Sequence, residues 1–282
     1  MIPSNRIVQG LWIGPSLSIM EQLSIRSFLA NGHEYHLYVY DTPTDVPAGT
    51  ILKDANEILD RSRIWRYKDG FGKGSVAGFA DFFRYVLLYK RGGWWVDTDV
   101  VCLRPFDHQS DIVICTSDEL EYGHLACTFV LKFPAGNEYA KYLMNVADRP
   151  NVDEIKFGDI GPFLVQRMVK ELDLSKYLAP PNDFAPIGWR GLSRIVREPT
   201  PLNLRSVYRF LYWQWRWLSR PKTYPGRVRS SSYGLHLWNE YWRSNGLDKS
   251  RTYYRNCEYE KLKRRYNVGA SAPIPLAPST EK

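Results

Sequence analysis

Four charged side chains lie within nineteen residues of one another: Asp81 and Arg84 in "VAGFADFFRYVLLYKR", then Asp97 and Asp99 in "GGWWVDTDVV". The second pair is the more unusual. Two carboxylates one residue apart stand in an apolar, β-prone run beside Trp95, Val96, Val100 and Val101, where burying charge is costly unless something compensates it. If 94–103 is a single strand, alternation puts Asp97 and Asp99 on one face and Thr98 on the other. Two carboxylates on one face repel. A hard divalent cation, Mn2+ or Mg2+, relieves that repulsion and keeps open positions for substrate phosphates. The competing reading is a carboxylate pair satisfied by backbone donors or arginines. Asp81 and Arg84 are three apart and share a helix face with an apolar stripe of Phe79, Phe83, Val86 and Leu87. Read as structure, they are an intrahelical ion pair worth about 0.2–0.5 kcal/mol. Read as function, Asp81 accepts sugar hydroxyls and Arg84 meets phosphate or sugar oxygens.

The elements that must hold these residues alternate. Strand patterns cover 6–13 and 34–41, with a helix expected at 18–31 between them. Residues 54–62 look helical, and 68–75 is a glycine-rich loop. A helix over 75–91 is capped by Ser75 and stopped by Gly92-Gly93, with Lys90 and Arg91 in its last turn. Strands follow at 94–103, 111–118 and 125–133. This is the order of a layered α/β nucleotide-binding fold. Beyond it come helices at 137–147 and 160–172, a proline-rich loop "LAPPNDFAPIGW", a basic aromatic segment at 202–220, and a short strand and turn at 233–242. The tail 268–282 has the composition of disorder. The domain expected is 1–245, with a nucleotide-binding half (1–133) and a second, helix-richer half (134–245). Residues 246–282 read as a basic C-terminal extension.

The chain of 282 residues carries a formal charge of +8, which favours polyanionic partners, and its 15% aromatic content suits flat or sugar-bearing ligands. Cys102, Cys115, Cys127 and Cys257 form no CxxC and stand near no histidine cluster, so free thiols in a reducing compartment are expected and a zinc site is not. The N-terminus lacks a signal-peptide pattern. No apolar run reaches the roughly 18–20 residues of a membrane span. A soluble or peripheral protein is the expectation, cytoplasmic and attached to the cytoplasmic face of a membrane.

The stretch "VAGFADFFRYVLLYKRGGWWVDTDVVCLRPFD" resembles the signature of glycosyltransferases with a DXD sugar-binding region, of the family-32 type that includes α-1,4-galactosyltransferases and α-mannosyltransferases. Ala77, Asp81, Arg84, Tyr85, Leu88, Tyr89, Gly92, Gly93, Asp97 and Asp99 match that pattern. Ala80 stands where the family usually has Ser, and Trp95 where Tyr or Phe is common. "IVQGLWIG", "GDIGPFLVQRMV", "NDFAPIGW" and "YGLHLWNEYW" are similar to further family segments, so the resemblance spans about 6–245. It implies a single-domain GT-A type fold with a mixed central sheet and a helical C-terminal elaboration. It also implies a nucleotide-sugar donor (UDP-galactose first, GDP-mannose second) and Mn2+ or Mg2+. Carried over, Trp12 faces the nucleobase. Asp81 and Arg84 contact the donor sugar and ribose side, with Gly161 in the donor site at a helix start. Asp97 touches ribose and reaches the metal through water, Asp99 ligates the metal, and His236 is a third ligand.

The family implies a retaining transfer to a glycan or lipid-linked glycan. Asp159 in "GDIGP" and Glu119 in "TSDEL" are the carboxylates to weigh as nucleophile. Front-face attack is the preferred route, with Asp159 orienting the acceptor or serving as a helix N-cap. On a helix at 202–220, Arg205, Arg209, Arg216 and Arg220 fall on one arc opposite Trp and Leu, the pattern of a helix lying on an anionic leaflet. A core-packed helix with a solvated arginine face is its alternative. No nucleic-acid module accompanies the charge. Three other functions compete: a haloacid-dehalogenase-like phosphatase, a toxin-like transferase modifying a protein, and a non-catalytic sugar-nucleotide or membrane-binding module. The first puts its aspartates near the N-terminus, unlike this chain.

Overall fold

The structure, a computed structural model, describes residues 5–119, 123–197 and 226–269. The basic aromatic segment 202–220 and the tail from 270 lie outside the described residues. The chain opens with strand β1 (Ile7–Trp12), helix α1 (Ile19–Ala30), and strands β2 (Glu34–Val39) and β3 (Ile51–Asp54). Helix α1 begins where Ser18 and Glu21 form a capping box, the Ser18 N–H donating to Glu21 Oε2 at 2.8 Å and the Met20 N–H to Ser18 Oγ at 3.3 Å. Helix α2 (Ala77–Arg91) leads into β4 (Gly93–Val96), and β5 (Val100–Cys102), β6 (Val113–Glu119) and β7 (Gly123–Phe133) follow. Helices α3 (Glu138–Ala147) and α4 (Pro162–Glu171), the short β8 (Leu178–Ala179), α5 (Pro181–Phe184) and α6 (Leu192–Ile195) come next. The last elements are β9 (Gly234–His236), α7 (Asn239–Ser244) and α8 (Glu258–Arg265).

Among the described residues, seven strands form one sheet in the order β3-β2-β1-β4-β7-β6-β8. The β3, β2, β1 and β4 strands pair in parallel, and β8 runs parallel to β6. Only β7 is reversed, antiparallel to both β4 and β6. The α/β class and the mixed central sheet are therefore as expected. Helices cover both faces, because the strands are apolar on both sides. The adjacent Trp94 and Trp95 show the division: Trp94 packs in the layer with α1, and Trp95 in the layer with α2 and α4.

Helix α2 buries Phe79, Phe82, Phe83, Val86 and Leu87 against the sheet. It ends at Gly92, with φ +66° and a neighbour, the Ala135 amide nitrogen, only 2.4 Å from where a Cβ would stand. No other residue fits both constraints. The chain thus reverses from α2 straight into β4, the strand that carries the aspartates. Ser75 accepts the Ala77 N–H at 3.0 Å, although Val76 is the capping position.

Several expectations change. Residues 54–62 are not an α-helix: β3 ends at Asp54, and two 3-10 turns follow. Asp54 and Asp60 accept the Asn56 and Ser62 N–H groups at 2.8 and 2.9 Å, so side chains satisfy the amides that a helix would need free to propagate. The stretch 94–103 is two strands rather than one, since β5 leaves the large sheet and pairs antiparallel with β9. Within 233–242, β9 is followed by a helix, α7. Residues 246–268 form no separate extension. Tyr253, Tyr259, Leu262 and Tyr266 join the same core as α1, and the Tyr266 hydroxyl donates to the Cys102 carbonyl at 2.6 Å. The four cysteines are buried and form no disulfide.

His33 sets an acid limit on this layer. Its Nε2 accepts the Phe106 N–H at 2.9 Å, with Phe28 and Phe106 edge-on to the ring at 5.6 Å. Burial lowers its pKa from the ordinary 6.5. Above that value the ring is neutral in both folded and unfolded chains, and its contribution is complete. As pH falls, the unfolded chain takes up the proton first and stability drains away. Urea midpoints should fall between about pH 7.5 and about pH 5.5, and the fall should be smaller in His33→Gln.

Candidate active site

The Asp97-Thr98-Asp99 triplet sits where β4 leaves the large sheet and β5 begins. It is a turn, closed by the Val100 N–H donating to the Asp97 carbonyl at 3.0 Å. The Asp97 N–H donates to the Phe129 carbonyl at 2.9 Å, which ties the turn to β7. Both carboxylates do face one site, but the turn brings them together, not strand alternation.

Each carboxylate has one oxygen braced by protein. Asp97 Oδ1 accepts Trp95 Nε1–H at 2.6 Å and lies 3.2 Å from an Arg84 NH2. Asp99 Oδ2 accepts the Asn239 N–H at 2.8 Å and lies 3.1 Å from His236 Nε2. The other oxygen of each makes no hydrogen bond among the described residues. His236 comes from β9, placed by the β5–β9 pairing and by the Leu237 N–H donating to the Asp99 carbonyl at 2.9 Å. Phe129 stacks on its ring with centroids 4.2 Å apart and planes at 18°.

Arg84 is committed rather than free. Its NH1 lies 3.1 Å from Asp81 Oδ1 and donates to the Thr128 carbonyl at 2.8 Å, and its Nε donates to the Ala80 carbonyl at 3.1 Å. The guanidinium lies over the Trp95 ring at 4.8 Å. It bridges Asp81 and Asp97 and is 3% exposed, so it braces the carboxylates instead of presenting an open fork to a ligand. Asp81 is buried beside it and lines the same cleft. Burial pushes the Asp81 carboxyl up to about 6, with the Asp97 carboxylate adding to the rise and Arg84 opposing it. Burial also raises Asp97 against the pull of Arg84. For Asp99 burial is overcome by His236 and the Asn239 N–H, and the carboxyl lies below its ordinary value.

The cleft over this floor has a volume of about 500 Å³. A larger one, about 780 Å³, is lined by Gln9, Lys53, Arg91 and Lys132 and touches none of these residues. Of its cations, Arg91 is engaged with Glu57 at 3.0 Å and Lys132 with the Ser110 carbonyl at 2.9 Å, and the cleft holds none of the Asp81, Arg84, Asp97, Asp99 and His236 cluster. The chemistry therefore belongs to the smaller cleft. Trp12 lines its wall, and the buried Trp12 Nε1, His236 Nδ1 and Asn239 Oδ1 have no hydrogen-bond partner among the described residues.

The donor set fits a divalent cation. Asp97, Asp99 and His236 each offer an atom, all within 4.8 Å of one another. Two open carboxylate oxygens suit hard Mn2+ or Mg2+, and the imidazole favours the softer Mn2+ of the two. On the floor the Asp81, Asp97 and Asp99 carboxylates outnumber the Arg84 guanidinium, although Arg190 and Glu240 also line the cleft.

Two expected residues lie elsewhere. Asp159 does not line the cleft. Its Oδ2 accepts the Lys156 N–H at 2.9 Å in a local turn, and the capping position of α4 is Gly161. Gly161 in turn packs behind Asp81 rather than on the cleft wall. Glu119 ends β6. Sequence reasoning passed over Trp95, Thr128, Phe129, Trp238 and Asn239. Only "LHLWN" offered a signal, since Trp95 read as a strand residue and Thr128 and Phe129 sit in an ordinary apolar run.

A Cβ at Gly161 would stand 2.5 Å from Asp81 Oδ2, with the carboxylate buried and unable to retreat. Gly161→Ala should cost about 1–3 kcal/mol in urea unfolding. Arg84→Ala leaves Asp81 and Asp97 without their shared cation and should cost more, about 3–5 kcal/mol. An unfolding midpoint for Arg84→Ala equal to wild type would contradict the bracing role.

No curated protein is matched by the sequence. Among solved structures, the chain is similar to "PaToxG Glycosyltransferase" at 13% identity and TM-score 0.44, covering 93% of this chain and 84% of that one. It is similar to the apo-form glycosyltransferase GlyE of Streptococcus pneumoniae TIGR4 at 12% identity and TM-score 0.38, covering 87% and 61%. It is also similar to the UDP-bound glycosyltransferase domain from the YGT toxin at 8% identity and TM-score 0.41, covering 93% and 98%. Residues 20–117, which carry Asp81, Arg84, Asp97 and Asp99, match the family model described as "Glycosyltransferase sugar-binding region containing DXD motif".

Proposed function

We propose that this chain is a metal-dependent, retaining glycosyltransferase. It moves a hexose from a nucleotide-diphosphate sugar to a glycan or lipid-linked glycan, with UDP-galactose the first donor to consider and GDP-mannose the second. The observation that carries the reading is the convergence of Asp97, Asp99 and His236 within 4.8 Å on the floor of a cleft that also holds Asp81 and Trp12. The match of residues 20–117 to a DXD sugar-binding region agrees with it. The finer family-32 assignment rests on the motif alone.

Asp97, Asp99 and His236 would hold a divalent cation, which would supply positive charge for a leaving diphosphate. The chain's own residues do the rest. Arg84 holds Asp81 and Asp97 in place. Asp81 accepts hydroxyls of the donor sugar, and the Trp12 ring stacks on the nucleobase. Transfer breaks the bond from the anomeric carbon to the diphosphate oxygen and forms one to the acceptor oxygen. The acceptor's proton passes to a phosphate oxygen of the donor. Front-face attack suits a site in which Asp159 is engaged with the Lys156 N–H rather than turned to the cleft. The role of 202–220 in docking to the cytoplasmic face of a membrane rests on its sequence. No helix among the described residues is long and apolar enough to cross one.

The test is a panel of nucleotide sugars with Mn2+, read by thermal shift and by release of free nucleotide. UDP-galactose or GDP-mannose should raise the melting temperature only when the metal is present. Asp99→Asn should lower nucleotide release about 100-fold or more. Full release by Asp99→Asn at saturating Mn2+ would sink the assignment.

A further inference from the structure

Four residues other than glycine have a positive φ among the described residues: Asp45, Asp173, Asn267 and Trp238. Asp and Asn visit this region readily, because their short polar side chains bond locally. Trp does not, and a bulky residue there is an outlier that the surroundings must enforce. Trp238 has φ +63° and ψ +51° and stands between β9 and α7, two residues after His236. Its strain therefore falls inside the proposed metal site.

What this conformation achieves can be read from the contacts. Reversing the chain at Trp238 brings the residues on either side of it to a single atom. His236 Nε2 lies 3.1 Å from Asp99 Oδ2, and the Asn239 N–H donates to the same oxygen at 2.8 Å. The left-handed residue is held by its own ring. Its Nε1–H donates to the Ile187 carbonyl at 2.9 Å, and the side chain is buried. The ring also closes on the imidazole, with Trp238 and His236 centroids 4.2 Å apart. Phe129 stacks on His236 at the same centroid distance, so two aromatic rings confine the imidazole.

We propose that Trp238 is a positioning residue for the metal-binding cluster. Its left-handed backbone delivers His236 and Asn239 to Asp99 Oδ2, and its ring, with that of Phe129, fixes the orientation of the imidazole. The proposal rests on the metal-dependent reading of the site, and it assigns Trp238 no contact with donor or acceptor. Asp99 and His236 are the groups the cation needs. Trp238 and Phe129 decide whether those groups are aimed before the cation arrives.

The test uses the full chain and Mn2+ alone. Mn2+ affinity is measured by the loss of the free-ion electron paramagnetic resonance signal, beside the melting temperature of each variant. Trp238→Gly permits the backbone but removes both ring and anchor, and should weaken Mn2+ binding about tenfold or more. Trp238→Phe keeps a ring beside His236 and should recover most of the loss. Phe129→Leu removes the stacking partner at nearly constant volume and should weaken binding several-fold, which keeps the test decisive if Trp238→Gly fails to fold. Folded Trp238→Gly and Phe129→Leu proteins with wild-type affinity would overturn the proposal.

A second readout needs no metal. The His236 ring proton signals should be shifted by the flanking aromatic currents and should become averaged in Phe129→Leu and Trp238→Phe to different degrees, most in Trp238→Gly. Unchanged His236 signals across the folded variants would overturn the orienting role even in a wild-type chain that binds no Mn2+. That last outcome would count against the metal-dependent function itself.

Discussion

Two carboxylates share one guanidinium in the floor of the cleft, and a third lies beside them. Asp81 and Asp97 are both within 3.2 Å of Arg84, and Asp99 leans instead on His236 and a backbone amide. Burying that much like charge is tolerable only if geometry and hydrogen bonding are nearly complete. The rest of the site follows from this demand. Arg84 must sit on a helix whose other face is anchored in the core, which Phe79, Phe83 and Leu87 provide. The helix must end so that the next strand begins beside it, which Gly92 permits. Trp95 must point to the α2 layer, where it lies under the guanidinium and donates to Asp97.

This also explains why the aspartates lie at a junction between sheets. In the middle of β4 they would be sealed between layers with no access for a ligand. By ending β4 at Val96 and starting β5 at Val100, the chain places the triplet in a turn with one side on the cleft. The cost is that β5 needs a new partner, and that partner is β9, more than a hundred residues later. His236 arrives with it. The metal-binding cluster and the second sheet are thus one feature: the pairing that satisfies β5's backbone also brings in the third donor.

Local patterns told most about what is local. The apolar face of α2 and the Gly92-Gly93 stop could be read directly, because each depends on residues a few positions apart. The 94–103 stretch misled for the opposite reason: its β-prone composition hides a turn that only the distant β9 makes necessary. Residues 54–62 misled because Asp54 and Asp60 compete locally for the amides of a helix. The basic run in α8 concealed a buried face, since Tyr259 and Leu262 pack inward while Lys263 is neutralised by Glu260 at 2.9 Å. In the site, Asp81, Arg84, Asp97 and Asp99 were recognisable by type and spacing, and His236 only through the family resemblance. Arg84's role as a brace was not, because spacing says that it can reach Asp81 but not that Thr128 and Asp97 hold its other donors.

The unpaired atoms around the floor separate a binding site from a structural ion cluster. A cluster that served only the fold would gain by closing on itself, since an unsatisfied buried polar atom costs about 1–3 kcal/mol. Replacing buried ion pairs by apolar groups of the same shape is often neutral or favourable for stability. Here one oxygen of each of Asp97 and Asp99 is braced, while among the described residues the other accepts no hydrogen bond, and His236 Nδ1, Asn239 Oδ1 and Trp12 Nε1 have no partner. The hydrogen bonds that brace the floor are present, and these unpaired atoms belong to residues that line one cleft, although His33 Nδ1, the Tyr35 hydroxyl and Asn182 Oδ1, away from it, are also without a partner among the described residues. Stability by itself would not select that division. A ligand that brings positive charge to the carboxylates and polar groups to the cleft wall would, because its binding free energy offsets a cost that the folded chain otherwise carries alone.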